Sequence, residues 1–246
     1  MTLDPRDAES LTRAGAAHVF VDDLDRPELA EVDAHHLRQV LRLKYGESLT
    51  VGDGLGSWRL CRFGEQIEPV GPIRTEPAPP YPITVAFSVP KGDRAEMIVR
   101  ALSELGVDAI VPMQAERSVV RWAGPRGERH VARLTRIARE ASMQSRRAFL
   151  PAVEPVQVYP DLVKRAGVVV ADPGGGDLDP THRTVLIGPE GGWSQSERDL
   201  GPGFLTLSGQ VLRVETAAIT AGALFAAMRA RIVLPPGSVA GRADSG

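Results

Sequence analysis

The sequence predicts an α/β protein in two parts: a small N-terminal β-barrel, then a parallel sheet covered by helices. Three observations carry this. Short, alternating, strand-like runs crowd residues 17 to 73. A proline-rich stretch follows, Glu76-Pro77-Ala78-Pro79-Pro80-Tyr81-Pro82, which is stiff and extended. Beyond it, apolar runs of strand length alternate with helical periodicity, the pattern of strands joined by crossover helices.

In the first part the strands are Ala17–Val21, Ser48–Gly52, Trp58–Phe63 and Ile67–Ile73, separated by the turn signals Tyr45-Gly46, Asp53-Gly54 and Phe63-Gly64. Ala34 to Leu43 reads as a short helix, with Leu37, Val40, Leu41 and Leu43 clustered and Asp33 placed as its N-cap. Many short strands around one helix suggest a barrel. In the second part Ile83–Val89, Ala109–Pro112, Val168–Asp172, Thr184–Gly188 and Phe204–Leu207 read as strands. Asp93–Leu105, Arg129–Ser145 and Glu215–Ile232 read as helices. The expected organisation is a barrel over 1–75, a linker over 76–82, an α/β domain over 83–235 and a disordered tail over 236–246.

Composition narrows the class. The chain has 246 residues, 43% of them apolar and 24% charged, which is ordinary globular material. No apolar run approaches a membrane span, and the polar, acid-bearing start is not a secretory signal. Cys61 is the single cysteine, so an internal disulfide or a cysteine-based zinc site is excluded. It is expected to be half-buried in a strand. The five histidines show no metal spacing, and no metal is expected. Net charge is −2, yet nine arginines fall between Arg117 and Arg147 against two glutamates. A near-neutral protein with one basic segment has a local anion-binding face.

Two stretches near the C-terminal end carry the chemistry: Leu186-Ile187-Gly188-Pro189-Glu190-Gly191-Gly192-Trp193 and Leu212-Arg213-Val214-Glu215-Thr216-Ala217. Each joins an apolar strand to a turn that opens a helix, which places backbone donors and acceptors at strand ends where α/β sheets bind ligands. Neither fits the usual dinucleotide or phosphate-loop pattern. Read without a ligand, the first is a strand-to-helix turn, with Ser194 as N-cap and Glu197 completing a capping box. Arg213 has two readings, as an ion-pair partner of Glu215 or Glu190, or as a contact to substrate or cofactor. Gly174-Gly175-Gly176 lacks the lysine of a phosphate loop and reads as a flexible loop, with Asp172 beside it a weak candidate. In the helix at 129–145, Val131, Leu134, Ala138 and Ala141 share one face and Arg129, Arg133, Arg136 and Glu140 the other. Without balancing acids the arginine stripe is read as phosphate contacts.

Both motifs, in this order, resemble the SPOUT methyltransferases, and more closely the bacterial 16S ribosomal RNA uridine-N3 methyltransferases of RsmE type. Three further stretches agree: His35-His36-Leu37-Arg38-Gln39-Val40-Leu41-Arg42-Leu43, Lys91-Gly92-Asp93-Arg94 with Glu104-Leu105-Gly106-Val107, and Glu140-Ala141-Ser142-Met143-Gln144-Ser145-Arg146. The resemblance spans roughly residues 17 to 232. Ser142-Met143 departs from it, standing where a more acidic or amide-bearing pair is expected.

The resemblance implies a PUA-like barrel that contacts RNA and a SPOUT domain with a trefoil knot. It implies a cytoplasmic homodimer that uses S-adenosyl-L-methionine to methylate N3 of a uridine in 16S ribosomal RNA. Ile187, Gly188, Pro189, Glu190, Gly191, Gly192, Leu207, Gly209, Leu212, Thr216 and Ala217 would hold the cofactor. Arg38, Arg42, Arg117, Arg129, Arg133, Arg136 and Arg147 would hold RNA. Glu140 is the expected base, and Arg146 or Arg213 the stabiliser of the imide anion. The alternatives are a SPOUT enzyme acting on transfer RNA and a non-catalytic RNA-binding assembly factor.

Overall fold

The computed structural model describes residues 10–233, so the first nine residues and the expected tail lie outside the described residues. The chain forms two compact units. One comprises Met1–Pro79 and Arg139–Leu150, and the other Pro80–Ala138 and Pro151–Gly246. The boundary at Pro79/Pro80 falls inside the proline-rich stretch. The return of 139–150 to the first unit differs from the expected division, because local composition carries no trace of it.

The first unit is built on β1 (His18–Phe20), β2 (Ser48–Gly52), β3 (Ser57–Arg62) and β4 (Glu68–Thr75), hydrogen-bonded in that order. β1 runs parallel to β2, and the other pairs are antiparallel. Leu49, Val51, Cys61, Val19, Leu37 and Phe63 form its core. Cys61 is wholly buried rather than half-buried, and burial pushes its thiol up to about 11, which keeps it protonated and inert. The helix starts earlier than expected. α1 (Glu31–His35) begins after Ala30 and continues as a π-helical turn over His36–Val40. Asp33 is not its cap. It lies inside the first turn, 5% exposed, and Arg139 of the same unit grips both its carboxylate oxygens at 3.1 and 2.7 Å.

The second unit contains β5 (Thr84–Ser88), α2 (Arg94–Glu104), β6 (Ala109–Gln114), α3 (Gly124–Gln144, whose last residues belong to the first unit), β7 (Ala152–Val153) and β8 (Gln157–Val158). It goes on through α4 (Tyr159–Leu162), β9 (Val168–Gly176), β10 (Thr184–Ile187), α5 (Gln195–Leu200), β11 (Phe204–Leu205) and α6 (Val214–Arg229). The sheet order is β11-β9-β10-β5-β6-β7, with β8 also on β6, and the pairs are parallel. Its central strands are buried on both faces, which explains their continuous apolar runs. Val85, Phe87 and Ile187 pack among α2 and α6 residues, while Ala86, Val170 and Leu186 pack among Tyr159, Leu162 and Trp193. Strand order reverses around β9 and β10, and such reversals open crevices outside the carboxyl ends of strands.

Two glycine sites correct or sharpen the sequence reading. Gly174–Gly176 is not a flexible loop but the end of β9, where Gly176 pairs with Leu205. A Cβ on Gly175 would lie 2.5 Å from the Leu205 amide nitrogen, so glycine permits the two strands to approach. In α6 a Cβ on Gly222 would fall on Leu102 of α2, so glycine sets how closely those helices pack.

Candidate functional site

The two singled-out motifs meet at the carboxyl end of the parallel sheet. β10 delivers the Gly188–Trp193 loop, β9 delivers Asp172, and the segment after β11 leads into α6. Together they bound a cavity of ≈ 280 Å³, near the lower end of the roughly 300–1,000 Å³ of ligand sites. Of the expected cofactor residues, Ile187, Gly188, Pro189, Glu190, Gly192, Leu207, Leu212 and Ala217 line it. Gly191, Gly209 and Thr216 adjoin lining residues in the chain without lining it themselves.

Local physics fixes this geometry. A Cβ on Gly188 would lie 2.8 Å from the Trp193 ring, whose Nε1 donates to the Ala171 carbonyl at 2.9 Å. Gly192 has φ +68°, a left-handed conformation that favours glycine, and a Cβ there would meet no protein atom within 4 Å. Ser194 and Glu197 form the expected capping box at the start of α5. By contrast α6 opens after Arg213 with no side-chain cap. Its first amide groups therefore stand at the cavity rim beside Val214 and Ala217 without a side-chain partner.

The charges are mostly paired. Asp172 lines the cavity and meets Arg198 at 2.7 Å. Arg94 lies 3.4 Å from Glu215 and 3.8 Å from Glu190. It thus ties the start of α2 to both signature motifs. In the sequence Arg94 stands out only as part of a family stretch, and its two acids read as partners of Arg213. Arg213 is instead exposed. The signal that could have found Arg94 is the crossover geometry: α2 starts at the same sheet end as the loop after β10.

The chain matches a family model described as an RNA methyltransferase domain over residues 77–226, and one described as an RNA methyltransferase PUA domain over 30–65. It is 34% identical to the ribosomal RNA small subunit methyltransferase E of Mycobacterium bovis over 233 residues, covering 82% of this chain and 88% of that one. The chain belongs to the ribosomal RNA small subunit methyltransferase E family. The Bacillus subtilis member is 27% identical, covering 77% and 85% of the two chains. The Neisseria gonorrhoeae member, in a crystal structure bound to S-adenosyl methionine, superposes with TM-score 0.73 at 27% identity, covering 87% and 97%. A Legionella pneumophila protein in complex with the same cofactor gives TM-score 0.74 at 26% identity, covering 85% and 96%.

Within this family frame the basic segment divides. Arg133 is exposed but pairs with Glu96 at 2.8 Å, and Arg139 is committed to Asp33. The missing acids that favoured a phosphate reading are thus supplied from distant parts of the chain. Arg129 is exposed and makes no ion pair among the described residues, and Arg136 is also exposed. Arg117 is exposed and donates to the Gly191 carbonyl at 3.2 Å, which makes it a support of the glycine loop. Arg38 and Arg42 are exposed in the first unit, where Arg42 holds φ +53°. Arg147 is half-buried there. Glu140 is exposed on α3, while Arg146 donates to the Ala14 and Gly15 carbonyls and so anchors the backbone ahead of β1. No grouping of three metal-ligating side chains exists among the described residues, and no described helix is long and apolar enough to cross a membrane.

Proposed function

We propose that the protein transfers the methyl group of S-adenosyl-L-methionine to N3 of a uridine in 16S ribosomal RNA. The observation that carries this is the convergence of the two motifs on one cavity at the reversal of strand order. The residues there suit the cofactor. Ile187, Leu207, Leu212 and Ala217 offer an apolar surface for a flat purine. The uncapped start of α6 and the charged groups Asp172, Arg198 and Glu190 suit the polar remainder. The space beside Gly192 is one that a side chain would fill. The names of the relatives and the cofactor in two solved neighbours support the same reading.

When bound, the cofactor supplies a methyl on a sulfonium, already activated for attack. The protein's part is to orient the uracil ring in line with it and to manage charge. In this reading Glu140 accepts the N3 proton, and Arg213, exposed beside Leu212 and Val214, meets the negative charge that develops on the ring carbonyls. Arg146 is the other expected stabiliser, but its guanidinium is engaged by two backbone carbonyls. Arg94 holds Glu190 and Glu215 in register. The trefoil knot and a cytoplasmic location belong to the same reading.

A homodimer also belongs to it. Along α6, Ile219, Ala223, Leu224, Ala226 and Ala227 are only half-buried, so the helix keeps an apolar face that its own unit covers incompletely. Mass spectrometry of 16S RNA from cells with and without the protein tests the function. A methyluridine present only with the protein is expected. An unchanged modification map, or no calorimetric binding of the cofactor, would refute it.

A further inference from the structure

A second cavity, of ≈ 420 Å³, lies beyond Arg94 and shares no lining residue with the first. Asp93 and Glu96 reach it from the start of α2. Trp122 comes from the loop before α3, and Arg126, His130 and Arg133 come from one face of α3 at i, i+4 and i+7. Trp122 and His130 stack, with ring centroids 4.4 Å apart and planes 10° from parallel. The Trp122 ring packs against the main core, and its backbone is held in place. Gln114 Nε2 donates to the Trp122 carbonyl at 2.7 Å, and a Cβ on Gly127 would lie 3.1 Å from that carbonyl carbon. The other two tryptophans, Trp58 and Trp193, are core residues at 1% and 4% exposure, whereas Trp122 is half-buried.

A stacked aromatic pair edged by arginines is the chemistry that binds single-stranded nucleotides: the rings take a base and the guanidinium groups take its phosphate. We propose that this cavity is a stacking subsite for a nucleotide flanking the one that is methylated. The base lies against Trp122–His130 and its phosphate meets Arg126 and Arg133. This rests on the function proposed above. Arg133 is exposed and pairs with the half-buried Glu96, and an ion pair with one member open to solvent is weak enough for a phosphate to compete for the arginine. Asp93 and Glu96 accept hydrogen bonds and repel phosphate, so they turn the base toward α2 and favour one bearing an exocyclic amino group. Adenine or cytosine is therefore preferred over uracil. Arg94 couples the subsite to the cofactor cavity, since it follows Asp93 directly and reaches Glu190.

The test uses the full-length protein, with short adenosine and uridine oligoribonucleotides and an abasic chain of equal length. Tryptophan emission should quench most with adenosine and least with the abasic chain. Trp122→Ala should raise KM for 16S RNA about fivefold or more, as removal of a stacking platform does. Its kcat and cofactor affinity should stay at wild-type values, and Trp122→Phe should restore most of the loss. Unchanged KM in Trp122→Ala, or equal quenching by the abasic chain, would overturn the subsite. If Trp122→Ala does not fold, His130→Ala and the quenching series decide by the same criteria. A wild-type protein that methylates neither free 16S RNA nor small subunits fails the underlying function instead, and is recognised before any variant is compared.

Discussion

At the scale of single residues, two neighbouring glycines are expected to behave differently. Gly192 holds φ +68°, so Gly192→Ala costs about 1–2 kcal/mol of backbone strain in a loop that lines the cofactor cavity. Its cofactor affinity should drop in calorimetry. Gly191 has ordinary backbone angles, and a Cβ there would make only van der Waals contact with Arg117, at 3.4 Å. Gly191→Ala should stay within about 0.5 kcal/mol of wild type. Equal losses in the two variants would contradict the geometry of the loop. A second residue-scale expectation concerns pH. Burial, helped by the positive charges of Arg146 and Arg139, lowers His18 to about 4. A histidine whose folded value lies below its unfolded one stabilises the neutral form. That stability is present above about pH 6.5 and is lost as pH falls toward 4. Urea unfolding should show about 2 kcal/mol of this loss between pH 7 and pH 5, and His18→Phe should remove that part of the slope. The sequence announces the glycines through their spacing. It cannot announce that Asp33 and Arg139 pair, because partners 106 positions apart leave no local pattern.

At the scale of elements, legibility follows burial. Strands such as β5 and β10 are enclosed on both faces, so their apolar runs are plain, and their ends differ from expectation by a residue or two. β7 and β8 span two residues each and α4 four, too short for any period to register. β9 runs longer than expected because glycine, usually a breaker, here serves close strand approach. The same element view refines the expectation for α3. Changing Arg129, Arg133 and Arg136 together to Gln should weaken RNA binding and flatten its salt dependence. The slope should fall by up to about one unit for each phosphate that is no longer neutralised. Because Arg133 already pairs with Glu96, its share should be less than that of Arg129. A salt slope equal to wild type would reduce the stripe to a solvated face. For the packing of α2 on α6, Gly222→Ala should destabilise by about 1–3 kcal/mol in urea unfolding, since Leu102 is fully enclosed and has nowhere to move.

At the scale of the whole molecule, the proposed dimer gives a direct expectation. Ala223→Glu or Ala227→Glu puts a charge on the half-buried face of α6. Light scattering should then report monomers, with methyl transfer lost while cofactor-independent folding is kept. A wild type that is monomeric and fully active would end the proposal that activity needs the dimer and leave the family assignment intact. The family and the two-part plan are legible in the sequence from five motifs in order and one run of prolines. The interleaving of the units is not. That interleaving has a consequence for how the protein is made. The first unit takes in residues 139–150, so it cannot be finished when the ribosome has released only the first 79. About seventy more residues must emerge first, which at about 5–20 residues per second is a wait of roughly 4 to 14 s. During that interval Leu11, Ala14 and Trp58 lack the cover of Ala148 and Phe149, the unit's main core lacks Met143, and Asp33 still lacks its arginine. A nascent chain stalled before residue 139 should therefore be cut readily by protease within its first 79 residues, and one stalled well past residue 150 should resist.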